Sequence, residues 1–241
     1  KSNFIIYRVC MFDLIGFDAD DTLWENEYLF YNAQKRLGEI LKNYSEKPND
    51  VLLQVEKQNL SNYGYGIKGF ILSLIETSLK LSKGKIENRY IEEFLDLGKE
   101  MLSEPVKIID GVESTLKSLS HNYNLILITK GDLLNQEKKI KNSNLSQYFN
   151  FIEIVSEKNE QVYLNILGKY NFNPSKFLMV GNSLNSDILP VLKIGGMGLY
   201  IPHELTWDHE KVDKSSNILD YVELESIFQI IPWLQENYNK K

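Results

Sequence analysis

Residues 15–22 read Ile-Gly-Phe-Asp-Ala-Asp-Asp-Thr, and this stretch decides how the chain is interpreted. A mostly apolar run begins at Phe12 and stops at three acidic residues, of which Asp18 and Asp20 lie two positions apart. Such a run, bounded by a polar break, is typical of a buried parallel strand. Residues two apart share a face of a strand, so we expect both carboxylates in one site at its end.

Two neighbouring carboxylates repel each other, and a divalent cation balances them most simply. Mg²⁺ is a hard cation that prefers oxygen ligands, so Asp18 and Asp20 predict a Mg²⁺ site. The alternative is that the aspartates only cap a turn and the helix after it, as aspartate often does. Three acids behind so apolar a strand favour the metal site.

The composition is that of a soluble globular protein, with 43% apolar and 25% charged residues among 241. Its 33 acidic and 27 basic side chains give a net charge of −6, which disfavours binding to a nucleic-acid polymer. No apolar run approaches the ~20 residues that cross a bilayer, so no membrane partner is expected. The single cysteine, Cys10, cannot form an internal disulfide and fits a cytoplasmic location. No signal peptide is evident, and residues 1–10 are interpreted as an extension ahead of Met11.

Residues 24–104 carry helical periodicity and no convincing strand. Leu29, Ala33, Leu37 and Leu41, for example, form one stripe at steps of four, and three further stripes follow. These stripes predict a small bundle of four helices.

From residue 106 onward, apolar strands alternate with amphipathic helices, which predicts a parallel sheet covered by helices on both faces. The expected strands after the first are Leu125–Thr129, Phe151–Val155, Phe177–Gly181 and Gly198–Ile201. The fold class is therefore α/β, with residues 11–23 and 105–241 in the core domain and residues 24–104 inserted after the first strand. Ligands of such sheets bind beyond the carboxyl ends of the strands, where Asp18 falls.

Polar residues follow the other strands at the same edge. Thr129 is followed by Lys130 and a glycine, and a hydroxyl with backbone N–H groups there can hold a phosphate oxygen. Thr129 could equally be an ordinary β-branched strand residue. Lys158 precedes an amphipathic helix, although a single lysine is usually solvated surface. Asn182 and Asp187 follow the strand that ends at residue 181.

These segments, in this order, resemble the four signatures of the haloacid dehalogenase superfamily, of the phosphatase type with an inserted helical cap (C1 type). The first signature, Asp-x-Asp-x-Thr, begins at Asp18, the second has its hydroxyl at Thr129, and the third has its lysine at Lys158. The fourth, Gly-Asp with a second acid further on, is matched by Asn182 and Asp187. Asn182 departs from it, because an amide stands where the first acid is expected.

The resemblance implies a Rossmann-like core and a two-step phosphoryl transfer. Asp18 would attack phosphorus and form an aspartyl-phosphate. Asp20 would protonate the leaving oxygen and then deprotonate the attacking water. Thr129 and Lys158 would stabilise the phosphoryl charge. Lys130, which stands where many members have asparagine, would also bind the substrate.

The resemblance also implies Mg²⁺ as the cofactor, held by Asp18, Asp20, Asn182 and Asp187. The amide oxygen of Asn182 can bind a hard cation but brings no charge. We therefore expect a weaker metal site, or a larger share of the binding for Asp187.

One loop of the helical region, residues 62–68, contains two glycines, Tyr63, Tyr65 and Lys68. Flat aromatic faces, hydroxyl tips and a cation suit contact with a phosphorylated substrate. We predict that these three residues help to choose the leaving group. A plain helix–helix turn with packed tyrosines is the alternative.

The predicted function is hydrolysis of a small phosphorylated metabolite, such as a sugar phosphate, phosphoglycolate or a nucleotide. A 2-haloacid dehalogenase is disfavoured, because the position of Asp20 carries no acid in those enzymes. A phosphomutase shares all four signatures and is a second alternative. A third is a binding protein that kept the fold and lost turnover, which Asn182 favours. The substrate and the oligomeric state stay open.

Overall fold

The computed structural model describes residues 11–205 and 221–238. In these residues six parallel strands form one sheet in the order β3-β2-β1-β4-β5-β6. The strands are β1 Leu14–Phe17, β2 Asn124–Lys130, β3 Phe151–Val155, β4 Phe177–Gly181, β5 Met197–Tyr200 and β6 Val222–Glu223. The predicted α/β fold with a parallel sheet is confirmed. The extension predicted for residues 1–10, including Cys10, lies outside the described residues.

Strand β1 lies in the middle of the sheet, where its four residues are fully buried. Phe17 is in register with Leu127 of β2 on one side and with Val180 of β4 on the other. The strand order reverses at this point, which opens a crevice at the carboxyl ends of the strands. Asp18 follows β1 directly and therefore stands at this crevice.

Of the five helices between β1 and β2 in sequence, the first four pack around their own apolar cluster. They are α1 Glu27–Leu41, α2 Pro48–Tyr63, α3 Ile67–Ser82 and α4 Asn88–Ser103, and we call them the helical insert. The predicted stripe is its core: Ala33, Leu37 and Leu41 are fully buried. Phe30 of α1 meets Phe70 of α3 edge to face at 4.9 Å between ring centroids. This contact packs α1 against α3.

The remaining helices accompany the sheet. They are α5 Val112–Ser120, α6 Leu133–Ser143, α7 Glu160–Lys169, α8 Leu189–Lys193 and α9 Ile230–Tyr238. None of the helices in the described ranges is both long and apolar enough to cross a membrane.

The chain after β4 differs from its prediction. The alternation of strands and helices predicts a single helix near residues 186–194, but a π-helical turn, Leu184–Ile188, precedes the short helix α8. Pro190 near the start of α8 lacks the N–H that a continuous α-helical ladder requires. Such π turns are rare and frequently occur at functional sites, and this one carries Asp187.

Candidate active site

A cavity of about 160 Å³ opens between the carboxyl ends of β1, β2 and β4 and the helical insert. It is smaller than the roughly 300–1,000 Å³ of pockets for drug-sized ligands. All of the predicted site residues line this cavity except Lys68. They are Asp18, Asp20, Tyr63, Tyr65, Thr129, Lys130, Lys158, Asn182 and Asp187.

A buried lysine joins two of the acids. Lys158 is only 4% exposed, and its Nζ donates to Asp18 Oδ1 and, at 2.7 Å, to Asp187 Oδ1. Burial by itself would lower the pKa of Lys158, but the charges of Asp18 and Asp187 outweigh it and raise that pKa well above its usual value. The ammonium group is therefore held in its charged form beside Asp18. The sequence alone could not assign this role to Lys158, because only the fold brings its charge together with those of Asp18 and Asp187.

The end of β4 is shaped to accept Asp187. This side chain is 1% exposed, and its Oδ2 accepts a hydrogen bond from the backbone N–H of Ser183 at 3.0 Å. A Cβ at Gly181 would lie less than 3.0 Å from the Asp187 side chain, so only glycine leaves room for the carboxylate. Burial raises the pKa of Asp187 to about 7, and the Lys158 ammonium counteracts that rise.

Asp20 is held at the cavity wall by three donors. Oδ1 accepts from Trp24 Nε1 at 2.6 Å and from Lys139 Nζ at 2.7 Å, and Oδ2 accepts from Gln136 Nε2 at 3.0 Å. Gln136 and Lys139 were not predicted as site residues. Both lie on α6, at the spacing of three that places two residues on one helical face, but nothing in the sequence distinguished them from solvated surface.

Thr129 has its hydroxyl oriented by the same glutamine. Gln136 Nε2 donates to Thr129 Oγ1 at 2.6 Å, so the hydroxyl oxygen is an acceptor in this contact. Its own hydrogen stays available for an oxygen atom of a ligand in the cavity. The buried Oε1 of Gln136 has no hydrogen-bond partner in the described part of the chain.

The side chain of Asn182 lies among the oxygen atoms expected around a cation. One atom of its amide is 3.3 Å from Asp18 Oδ2, from the backbone oxygen of Asp20 and from Thr22 Oγ1. With the nitrogen pointing inward, all three oxygens are acceptors within its reach, and this orientation satisfies the hydrogen bonds of the amide. If the oxygen points inward, it converges with Asp18 Oδ2 and the Asp20 backbone oxygen, and three hard oxygen donors of the kind that Mg²⁺ prefers then lie together. These residues therefore fit a Mg²⁺ ion, with Asp20 contributing its backbone oxygen, because its carboxylate is turned toward Trp24 and Lys139.

A second group of potential metal ligands lies next to the cavity. Asp21, Glu25 and His203 each offer a ligand atom within 4.8 Å of the others. Both oxygens of Asp21 already accept from the backbone N–H groups of Asn26 or Glu27 at 2.8–3.1 Å. Asp21 thus caps the start of α1, the role considered above as the alternative for all three aspartates. Burial raises its pKa to about 6.

The loop between α2 and α3 contacts the core beside the cavity. Tyr65 donates its hydroxyl to Glu157 Oε2 at 3.0 Å, and the Nζ of Lys130 lies 4.0 Å from the centre of the Tyr65 ring. Lys68 forms an ion pair with Asp132 at 2.8 Å. Tyr65 is thus in reach of a ligand, whereas Lys68 joins the insert to the core.

Comparison with known proteins agrees with this geometry. A family model described as haloacid dehalogenase-like hydrolase matches residues 12–195. The chain belongs to this family of hydrolases. A haloacid dehalogenase-like family hydrolase from Xanthomonas campestris has 37% sequence identity and a TM-score of 0.84, over 95% of this chain and 93% of that one.

Two further proteins that are similar to this chain have different activities in their names. Glyceraldehyde 3-phosphate phosphatase from Methanothermobacter thermautotrophicus is 24% identical over 233 residues, which are 91% of this chain and 98% of that protein. A 2-haloacid dehalogenase from Pseudomonas syringae pv. tomato DC3000 is 20% identical, with a TM-score of 0.59 over 93% of this chain and 99% of that one. The second likeness shows the fold alone.

Proposed function

We propose that this hydrolase is a Mg²⁺-dependent phosphatase that cleaves a small phosphorylated metabolite through an aspartyl-phosphate on Asp18. The observation that carries the proposal is that the Asp20 carboxylate lines the same cavity as Asp18 and Lys158. Cleavage of a phosphate ester needs an acid for the leaving oxygen, and Asp20 supplies one.

In the first step a carboxylate oxygen of Asp18 attacks phosphorus. The side chain is oriented by Lys158 on Oδ1 and by Thr22, whose hydroxyl donates to Oδ2 at 3.1 Å. The Lys158 ammonium and the Thr129 hydroxyl stabilise the charge on the phosphoryl oxygens, since both are fixed before the substrate arrives. Lys130, whose Nζ is held by Ser186 Oγ at 2.9 Å, adds positive charge at the cavity wall.

Asp20 transfers the proton in both steps. Trp24 and Lys139 both donate to Oδ1, so Oδ2, which faces only Gln136 among these donors, is the oxygen that exchanges the proton. Asp20 protonates the leaving oxygen, and the resulting carboxylate then removes a proton from the water that hydrolyses the aspartyl-phosphate.

The residues that would hold Mg²⁺ are Asp18, Asn182 and Asp187 through their side chains and Asp20 through its backbone oxygen. When bound, the ion would neutralise charge on the phosphoryl group. Residues 24–104, which contain the helical insert, would act as the cap that excludes bulk water and encloses the leaving group. The phosphatase from M. thermautotrophicus, named for a small phosphorylated compound, supports a substrate of this size.

The proposal is tested by measuring inorganic phosphate released by the purified chain from a panel of phosphorylated metabolites and from an aryl phosphate, with Mg²⁺ or with a chelator. We expect release that depends on Mg²⁺ and is lost in Asp18→Asn. Halide release from 2-chloropropionate, without phosphate release from any ester, would instead identify a dehalogenase. No turnover of either kind would indicate a binding protein.

A further inference from the structure

One wall of the cavity holds a carboxyl group for which the steps above have no role. Glu56 lies on α2 of the helical insert, is only 7% exposed, and lines the cavity that contains Asp18. Within residues 11–205 and 221–238, no hydrogen bond or ion pair of its side chain is found.

The cavity that Glu56 lines also holds the apolar side chains of Phe30, Leu60 and Phe70. The nearby amide of Asn59 is already engaged, since its Nδ2 donates to Ser73 Oγ at 3.1 Å and to Glu76 Oε2 at 2.8 Å.

A buried carboxylate without a partner destabilises a fold, because it loses its hydration and gains nothing in exchange. Burial accordingly raises the pKa of Glu56 to about 7. A leucine or methionine would fit an apolar wall without this cost. A group placed in this way, in a cavity, is a candidate for contact with a ligand.

We propose that Glu56 selects the substrate by accepting a hydrogen bond from a hydroxyl or ammonium group on the leaving group. Phosphoryl chemistry is carried out by the core at the sheet end, and Glu56 faces the same space from the insert. The substrate is therefore the phosphate ester of a polyol or an amino alcohol. An ester whose leaving group carries a carboxylate, such as phosphoglycolate, would set two negative charges together and is rejected.

This inference rests on the proposed phosphatase activity, and the experiment separates the two. Phosphate release by the full chain with Mg²⁺ is measured at pH 8 for four esters: glycerol 1-phosphate, 2-aminoethyl phosphate, propyl phosphate and phosphoglycolate. Propyl phosphate has the carbon chain of the glycerol ester without its hydroxyls. The enzyme variants are Glu56→Met and Glu56→Gln, and Glu92→Gln on the exposed face of α4 is the matched control.

We expect the wild-type enzyme to prefer glycerol 1-phosphate or 2-aminoethyl phosphate over the other two esters. Glu56→Met should lower kcat/KM for the preferred ester by about 10- to 100-fold, the effect of one hydrogen bond to a charged group, and leave propyl phosphate unchanged. Glu56→Gln keeps an oxygen acceptor without charge. It should therefore retain most activity if the preferred leaving group carries hydroxyls, and fall as far as Glu56→Met if that group carries an ammonium.

Equal losses on all four esters, or no loss on any, would overturn the role of Glu56 while the phosphatase activity stands. A wild-type preference for phosphoglycolate would overturn it as well. If no ester is cleaved by the wild-type enzyme, the proposed function itself fails. Circular dichroism of each variant identifies a folding defect, and Glu56→Gln, which keeps the shape of the side chain, supplies the decisive comparison if Glu56→Met does not fold.

Discussion

The carboxylate of Asp187 lies directly against the backbone of Gly181, so closely that a Cβ at position 181 would come within 3.0 Å of it. Gly181 ends β4 and Asp187 sits on the π-helical turn that follows. The last residue of the strand therefore determines where an acid six residues later can stand. Asp187 in turn accepts a hydrogen bond from Lys158, and Lys158 also donates to Asp18.

Gly181→Ala is expected to push Asp187 out of this position. Overpacking in a dense interior destabilises by about 1–3 kcal/mol, and the displaced carboxylate should weaken Mg²⁺ binding and reduce turnover at least tenfold. Urea unfolding, calorimetric titration with Mg²⁺ and phosphate release measure the three effects. Gly168→Ala on α7 is the control, because no atom beyond its chain neighbours and the adjacent helix backbone lies within 4 Å of the added Cβ, and it should not reduce turnover. Unchanged Mg²⁺ affinity in Gly181→Ala would show that Asp187 does not bind the metal.

Asp18→Asn should abolish turnover and preserve the fold. The substitution keeps the shape of the side chain and removes the attacking charge, and Lys158 keeps its bond to Asp187 at 2.7 Å. We expect kcat to fall roughly 10³-fold or more, with an unchanged circular dichroism spectrum. Asp20→Asn should be severely impaired too, because no carboxyl group would then protonate the leaving group or deprotonate the water. Turnover near the wild-type rate in Asp18→Asn would refute an aspartyl-phosphate on this residue.

Asn182→Asp should make the protein more dependent on Mg²⁺. The amide is 3.3 Å from Asp18 Oδ2, so a carboxylate in its place would repel Asp18 when no cation is bound and attract a cation more strongly. We expect a lower Tm than wild type in chelator and a larger rise of Tm on adding Mg²⁺. Differential scanning calorimetry of both proteins checks this. Equal Mg²⁺-induced rises would mean that Asn182 does not contact the metal.

The ion pair between Lys68 and Asp132 should influence closure of the insert only slightly. More than half of the Lys68 side chain is exposed, and such pairs stabilise by about 0–1 kcal/mol. Lys68→Met is therefore expected to raise KM less than about fivefold, equally for all substrates, and to leave kcat unchanged. Steady-state kinetics on two esters tests this, with Lys68→Arg, which keeps the positive charge, as the control that should leave KM unchanged. A loss confined to the preferred ester would return Lys68 to the leaving-group role predicted from the sequence.

The sequence predicted the parts of the site that depend on one strand and its end. Asp18, Thr129 and Asn182 each follow an apolar run, and parallel strands bring their carboxyl ends to one edge. Strand β6 was not predicted, since a two-residue strand offers no periodicity to detect.

The side chains that reach the site from helices could not be predicted in this way. Gln136, Lys139 and Glu56 are polar residues on amphipathic helices, where most such residues are solvated. Their roles depend on how α6 and α2 are placed over the sheet, which is a property of tertiary packing. The fold thus followed from local patterns, whereas the partners of Asp20 and the burial of Glu56 at the cavity emerged only from the assembled chain.

Glu56 should also leave a signature in the pH dependence of stability. Its pKa is raised by burial from 4.5 to about 7, so the fold favours the protonated acid. The stability that this preference contributes is present in full below pH 4.5 and is lost as the pH rises through 7. Glu56→Gln cannot ionise and should escape this loss. Relative to wild type, the variant should therefore gain roughly 2–3 kcal/mol in its free energy of unfolding between pH 4.5 and pH 8. Urea unfolding across this range, in chelator and without substrate, measures the difference, and Glu92→Gln should run parallel to wild type. A Glu56→Gln profile that is also parallel would mean that the carboxyl group is solvated in the free enzyme, which would remove the physical reason to assign it a ligand.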